Sequence, residues 1–353
     1  MNIIYRSGLL SSVALLFAIH SLSQKNVTQP DHDTAYYETF DRTITGRFYF
    51  SQKFTTFELQ KNNDAPRFRY LPNTTFNIGV GATYRIFTLN LAYGFGFLNR
   101  DEKEKGKTKY LDLQTHFYGR KWRVDLFGQF YKGFFLTPKG LGPVPPDLHY
   151  IRPDINVTLL GIAPYRIMNE KKFSYRAAMM QSEWQKRSAG SLLIGGEIYY
   201  GNVKGDSAFV PPSMANLYEQ RGIHKINFIE LGPGAGYAYT LIIKRRFFLT
   251  GSFSASLDFG WVREVSNISE EDHFNLVPNF IYRVAGGYNS RLWNVSLSWV
   301  SNRISARGAS SADKYLMQTG NVRLTLARQF RLGPKLKKSL EPLDKMLPEK
   351  KSQ

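Results

Sequence analysis

From Phe87 to Phe97 the chain alternates without a break. Phe87, Leu89, Leu91, Tyr93, Phe95 and Phe97 are large and apolar, and Thr88, Asn90, Ala92, Gly94 and Gly96 between them are small or polar. A strand sends successive side chains to opposite faces. One face here is therefore wholly apolar and the other is not. Repeated along a chain, this period-two pattern is the signature of a transmembrane β-barrel, with apolar residues toward lipid and polar ones toward the lumen.

The pattern recurs. Strands are expected over 44–59, 73–84, 86–97, 109–119, 122–135, 154–168, 172–185, 190–202, 223–243, 246–261, 276–288, 291–304 and 319–331. In the first, Phe48, Phe50 and Phe54 oppose Arg47, Tyr49, Ser51 and Lys53. In 246–261, Phe247, Leu249, Phe253, Leu257 and Phe259 oppose Ser252, Ser254, Ser256 and Asp258. In 291–304, Trp293, Val295, Leu297 and Trp299 oppose Asn294, Ser296 and Ser298.

Tight turns near Arg85, Arg120, Asn169, Lys244 and Asn289 alternate with longer polar segments at 99–108, 136–153, 262–275 and 305–317. Bacterial barrels place short turns in the periplasm and long loops outside, with an even strand number. The thirteen strands above break that parity between residues 172 and 243. A further crossing at Lys204 to Met214 restores it, which predicts an all-β, transmembrane antiparallel barrel of about fourteen strands with periplasmic termini. Pro211-Pro212 is awkward in a ladder, so twelve strands with a lumenal excursion is the alternative. A soluble β-sandwich would also alternate. Against it stand the 15% aromatic content, placed near strand ends as interfacial girdles require, and the Gly, Ser, Thr and Asn of the opposite faces.

The ends of the chain extend this picture. Residues 1–23 read as a secretory signal, with Arg6, an apolar run from Leu9 to Ile19 and cleavage before Gln24. Residues 24–43 form a periplasmic lead-in, 44–332 the barrel, and 333–353 a basic periplasmic tail. There is no cysteine, which excludes disulfides and thiolate metal sites. The mean hydropathy of −0.33 is compatible with a barrel, because hydropathy windows average alternating faces away.

The net charge of +19 changes the picture only in part. A secreted chain does not meet nucleic acid in its compartment. Its basic residues are instead expected to meet phosphates of outer-membrane lipid and lipopolysaccharide. The tail, with six lysines and three prolines after residue 333, is a candidate contact for a periplasmic partner.

Three blocks carry a family resemblance. They are Tyr70-Leu71-Pro72-Asn73 with Gly79-Val80-Gly81; Glu183-Trp184-Gln185 with Ser188-Ala189-Gly190-Ser191 and Gly195-Gly196-Glu197-Ile198-Tyr199-Tyr200; and Gly232-Pro233-Gly234-Ala235-Gly236-Tyr237. Over about residues 36–331 the chain resembles the Bacteroidota domain-of-unknown-function family 4421. The resemblance implies the outer membrane of a Gram-negative cell, and brings no activity and no catalytic residues.

Alternation points Arg47, Lys53, Asp112, His116, Arg123, Asp125, Arg176, Glu197, Asp258, Arg283 and Arg323 into the lumen. Two readings follow. Either these charges neutralise one another in a network that fills the barrel, or their arginine surplus lines a small polar pore or solute-binding cavity that favours anions. A structural or accessory barrel acting through a partner is the alternative function, and an embedded lipid-modifying hydrolase the third. A serine hydrolase needs a base beside the nucleophile and a third group orienting the base. No G-x-S-x-G elbow is present, and His116 is expected as an ordinary hydrogen-bonded residue. The expectation is no enzyme, no metal site and no cofactor. Glu270-Glu271-Asp272-His273 reads as a solvated loop, and Gly232 to Gly236 as strand glycines, because a phosphate-cradling loop must open a helix.

Overall fold

The computed structural model describes residues 31–40, 43–60, 68–95, 101–308 and 314–345. The expected signal over 1–23 lies outside the described residues.

The strands are β1 (Tyr37–Thr39), β2 (Thr43–Gln60), β3 (Phe68–Leu71), β4 (Asn77–Tyr84), β5 (Phe87–Gly94), β6 (Lys109–Asp112), β7 (Thr115–Tyr118), β8 (Trp122–Thr137) and β9 (Ile151–Ile167). They continue as β10 (Glu183–Gln185), β11 (Ala189–Lys204), β12 (Lys225–Ile243), β13 (Phe247–Val265), β14 (Glu270–Asn289), β15 (Trp293–Arg307) and β16 (Lys314–Arg331). Two helices, α1 (Glu102–Lys105) and α2 (Pro334–Lys345), are short.

Ten strands close an antiparallel ring in the order β2, β3, β8, β9, β11, β12, β13, β14, β15, β16, and β16 pairs back onto β2 from Lys314–Gln60 to Arg331–Thr43. Four strands attach outside that ring. β4 pairs with the first half of β2 and carries β5, while β6 and β7 pair with β8. β3 bridges β2 to β8 at the long-loop end only.

The sheet holds fourteen strands, ten in the ring and four outside it, but they are not the fourteen that the sequence pattern predicts. Residues 172–185 are not a wall strand. The chain leaves β9, turns into the lumen at the short-turn end, passes through a π-helical turn (Arg176–Met180) and pairs β10 with β1. Phe173 and Tyr175 are apolar and alternate, which mimics a lipid-facing strand, yet both are 1% exposed because they pack inside the barrel. Removing this crossing repairs the parity. No crossing is then needed at Lys204 to Met214. Lys204 ends β11, and the residues after it belong to a loop whose short 3-10 turn (Pro212–Leu217) dips into the opposite mouth and buries Phe209, Val210 and Met214. The expected loop at 262–275 is also mostly ladder: β13 and β14 pair from Val265–Glu270 onward, so Glu270 to His273 are strand residues.

The faces follow the sequence pattern. Leu89, Leu192, Leu231, Leu257, Leu297 and Leu324 stand exposed on the outside, in a band of large apolar side chains far bigger than a soluble surface carries. Ser252, Ser254, Ser256 and Asp258 point inward and are buried. Toward the long-loop end the interior turns apolar, where Phe57, Phe134, Ile155, Val203, Phe209 and Phe228 form one cluster. Phe209 wedges against Phe57 with ring centres 5.1 Å apart. Gly234 lies inside β12 and has no role in a phosphate loop. A Cβ there would collide with the Tyr165 hydroxyl, so the glycine makes room for the central side chains. After β16, α2 folds back onto the β4–β5 turn, where the Tyr84 hydroxyl donates to Asp344 Oδ1 at 2.9 Å and Arg85 Nη1 lies 2.8 Å from the same oxygen.

Candidate functional site

The barrel is closed at mid-height by its own side chains. Asp125, on β8, is fully buried and gathers three partners: Arg283 Nη2 on its Oδ2 at 2.5 Å, Arg123 Nε on the same oxygen at 3.4 Å, and His116 Nδ1 on its Oδ1 at 2.7 Å. The Arg123 guanidinium stacks 4.2 Å over the Tyr165 ring. The Tyr165 hydroxyl in turn donates to Glu197, whose other oxygen accepts from Tyr199 at 2.8 Å. Asn279 donates to both Asp258 at 2.8 Å and Glu230 at 2.7 Å. Arg123, Asp125, Asp258, Asn279 and Asn302 all have no exposed surface, so water does not reach them.

The short-turn mouth has its own closure. Glu183 of the inturned segment accepts from the Ser174 hydroxyl at 2.5 Å and pairs with Arg176 at 3.2 Å and Arg120 at 3.8 Å. Burial pulls the Arg120 guanidinium below its ordinary pKa, and the Glu183 carboxylate works the other way. Arg47 Nε donates to the Met180 carbonyl at 2.9 Å, and Gln329 Nε2 donates to the Gln181 carbonyl at 2.9 Å, which ties the segment to the wall.

Beside these closures lies a polar cavity of about 550 Å³. It is bounded by β2 (Tyr49, Ser51, Lys53), β5 (Asn90, Ala92), the β6–β7 run (Asp112, Gln114, His116) and the β15–β16 wall (Ser298, Asn321, Arg323). That volume falls in the range of small-molecule sites. Lys53 Nζ pairs with Asp112 Oδ1 at 2.9 Å, and Tyr131 donates to Asp112 Oδ2 at 2.7 Å. Arg323 stacks 4.4 Å over Tyr49 and has no carboxylate partner among the described residues. The Gln114 amide, His116 Nε2, Asn321 Oδ1 and Arg323 Nε likewise lack a hydrogen-bond partner there. In chemical terms the cavity offers a cation, a neutral amide, and an imidazole oriented by a buried carboxylate.

The residues expected in the lumen therefore divide into groups. Lys53, Asp112, His116 and Arg323 meet at the cavity. Arg123, Asp125 and Arg283 form the central network, with Glu197 and Asp258 beyond it. Arg47 braces the inturned segment, and Arg176 sits on that segment and not on the wall. Glu230, Asn279 and Asn321 are not among the residues singled out from sequence. Extending the alternation through 223–243 and 276–288 would have found the first two, since Glu230 and Asn279 occupy inward positions on β12 and β14. A second hollow, of about 680 Å³, lies at the short-turn end and is lined by Trp184, Lys186, Arg187, Arg245, Arg246 and Arg291 among others.

A closed antiparallel ring with an apolar exterior and a polar, charged interior defines a membrane-type β-barrel. The chain belongs to the family described as Domain of unknown function (DUF4421), whose model matches residues 31–330. No curated protein matches the sequence. Among solved structures the chain is similar to the outer membrane protease OmpT of Escherichia coli at 10% identity, over 82% of this chain and 97% of that one, with a TM-score of 0.36. It is also similar to the toluene transporter TodX of Pseudomonas putida (6% identity, 81% and 89% covered, TM-score 0.23) and to Ail, the attachment invasion locus protein of Yersinia pestis (8%, 81% and 99%, 0.19). Likeness this distant assigns no activity. It excludes none either, so the expectation that the chain is no enzyme is withdrawn: an outer-membrane protease is itself among the matches.

Proposed function

We propose that this chain is an outer-membrane barrel that binds an anionic solute in its side cavity, with short turns and both termini on the periplasmic side. The observation that carries this reading is the pairing of a filled mid-barrel with a polar cavity whose arginine, Arg323, has no carboxylate partner. A through-pore needs a continuous hydrated path, and the zero exposure of Arg123 and Asp125 argues against one at their level. The membrane placement is supported by the apolar outer band, since such a band in water would drive aggregation. The basic hollow beside Trp184 and Arg245 supports an additional accessory role, with lipid phosphates or a periplasmic partner meeting the short-turn end.

The test uses the folded full chain in detergent, with inorganic phosphate as the probe and chloride at matched ionic strength as the control. A ligand that binds only the folded state stabilises it by about 2.7 kcal/mol at a hundred times its Kd. Phosphate should raise the denaturant midpoint of the wild type and leave Arg323→Gln unmoved. Equal midpoints in phosphate and chloride for the wild type would overturn the reading.

A further inference from the structure

The wall beside this cavity is not sealed. Every step around the ring shares a ladder, but among the described residues no backbone hydrogen bond joins β5 to β6 or β7. Among the described residues β5 shares a ladder with β4 alone, and β6 and β7 share one with β8 alone. Among the described residues the gap is stitched toward the long loops. There Asn73 donates to the Gly106 carbonyl and the Thr108 hydroxyl, each at 2.8 Å, and Thr75 Oγ1 lies 3.2 Å from the Tyr110 hydroxyl.

Open strand edges are expensive in hydrocarbon, because nothing there satisfies their backbone groups. They are tolerated only where they line a polar cavity. That is the arrangement on the inner side of the gap. Lys53 Nζ takes the carbonyls of Asp112 at 3.1 Å and Gln114 at 3.4 Å, groups that a neighbouring strand would otherwise hold. Outside the gap, Leu89, Leu91, Leu111 and Leu113 are 64%, 61%, 55% and 55% exposed. On the other face of β5, Asn90 and Ala92 are exposed as well, toward the cavity. One opening thus joins an apolar exterior to a cavity that holds an unpaired arginine and an unpartnered amide.

We infer that the gap between β5 and the β6–β7 run is a lateral portal through which the acidic headgroup of a membrane lipid enters the cavity, its phosphate meeting Arg323 and its acyl chains remaining among Leu89, Leu91, Leu111 and Leu113. This rests on the reading of the cavity as an anion site. It adds the route and the ligand class: a phosphate carried on a lipid, which arrives sideways from the bilayer and not along the barrel axis.

The test replaces Ala92 with the photoreactive residue p-benzoylphenylalanine in the full chain. The protein is reconstituted in vesicles of phosphatidylcholine mixed equally with phosphatidylglycerol, and captured lipid is identified by mass spectrometry. The same probe at Leu324, on the lipid face of β16, reports the bulk lipid. The Ala92 probe should capture phosphatidylglycerol about tenfold over phosphatidylcholine, Arg323→Gln should erase the preference, and the Leu324 probe should show none. Capture at Leu324 with none at Ala92, or capture at Ala92 with no headgroup preference, overturns the portal. If the photoprobe prevents folding, Ala92→Cys carrying a nitroxide in this cysteine-free chain replaces it. Broadening of its signal by phosphatidylglycerol bearing a headgroup nitroxide supports the portal, and unchanged spectra overturn it. Stabilisation by inorganic phosphate without lipid capture would sink the portal and leave the anion site standing. Failure of both would remove the two together.

Discussion

Arg283 and Asp125 meet across the lumen of the barrel, Nη2 to Oδ2 at 2.5 Å. Their strands, β14 and β8, are five steps apart through β9, β11, β12 and β13, so the pair bridges the lumen. Two side chains thus bridge the lumen at this level. Both groups are buried, and ions out of water are stable only when paired and further hydrogen-bonded. Arg123 and His116 complete the Asp125 shell, and Tyr118 accepts from Arg283 Nε at 3.3 Å.

Arg283→Met should therefore be costly. Removing one partner of a buried pair costs about 3–5 kcal/mol, because the other charge is left uncompensated. Urea titration of the protein folded in detergent micelles measures this. A loss under about 1 kcal/mol would mean that the Asp125 charge is satisfied without its partner across the lumen.

The outer band predicts a contrast between two arginine substitutions. Leu324 faces out at mid-strand on β16, and Ile268 stands 96% exposed in the tip joining β13 to β14. Leu324→Arg should cost about 2–4 kcal/mol in a bilayer, while Ile268→Arg should stay within about 0.5 kcal/mol. Equal behaviour in vesicles would contradict the assignment of the lipid face.

The inturned segment depends on Glu183, which holds Ser174, Arg176 and Arg120 together. Glu183→Gln should speed amide hydrogen exchange over residues 173–185 and leave β12 to β16 protected. Uniformly faster exchange would show that the segment unfolds only with the barrel.

Sidedness is tested by cysteine labelling, for which the chain supplies no background thiol. Lys103→Cys, in α1 beside the long loops, should react with an impermeant maleimide on intact cells. Glu341→Cys, in α2 at the short-turn end, should react only after the outer membrane is breached. The reverse order would invert the proposed topology.

Much of the wall was legible in the sequence because side-chain period is a local property. Leu192, Ile194 and Ile198 on β11, and Phe247 through Phe259 on β13, face outward as their alternation requires. What period cannot carry is which apolar face meets lipid and which meets the interior. Phe173 and Tyr175 alternate as well as any lipid-facing pair, yet they pack against barrel side chains: the Tyr175 hydroxyl lies 2.6 Å from Ser252 Oγ. The same ambiguity hid the apolar interior near Phe57 and Phe228. At the site, the inward direction of Lys53, His116 and Arg323 was readable, but their meeting was not. It depends on β4 to β7 attaching outside the ring and leaving a hollow, a consequence of β3 bridging β2 to β8 at one end alone.

The central claim, a barrel filled across its middle and serving its ligand from the side, is tested most directly by planar-bilayer recording of the purified, folded wild type. The account predicts no steady conductance above the bare membrane at any modest voltage, with inserted protein verified by its heat-dependent gel migration. Stable, open, ohmic channels from that same preparation would contradict it, because ions would then be crossing the level that Arg283 and Asp125 close.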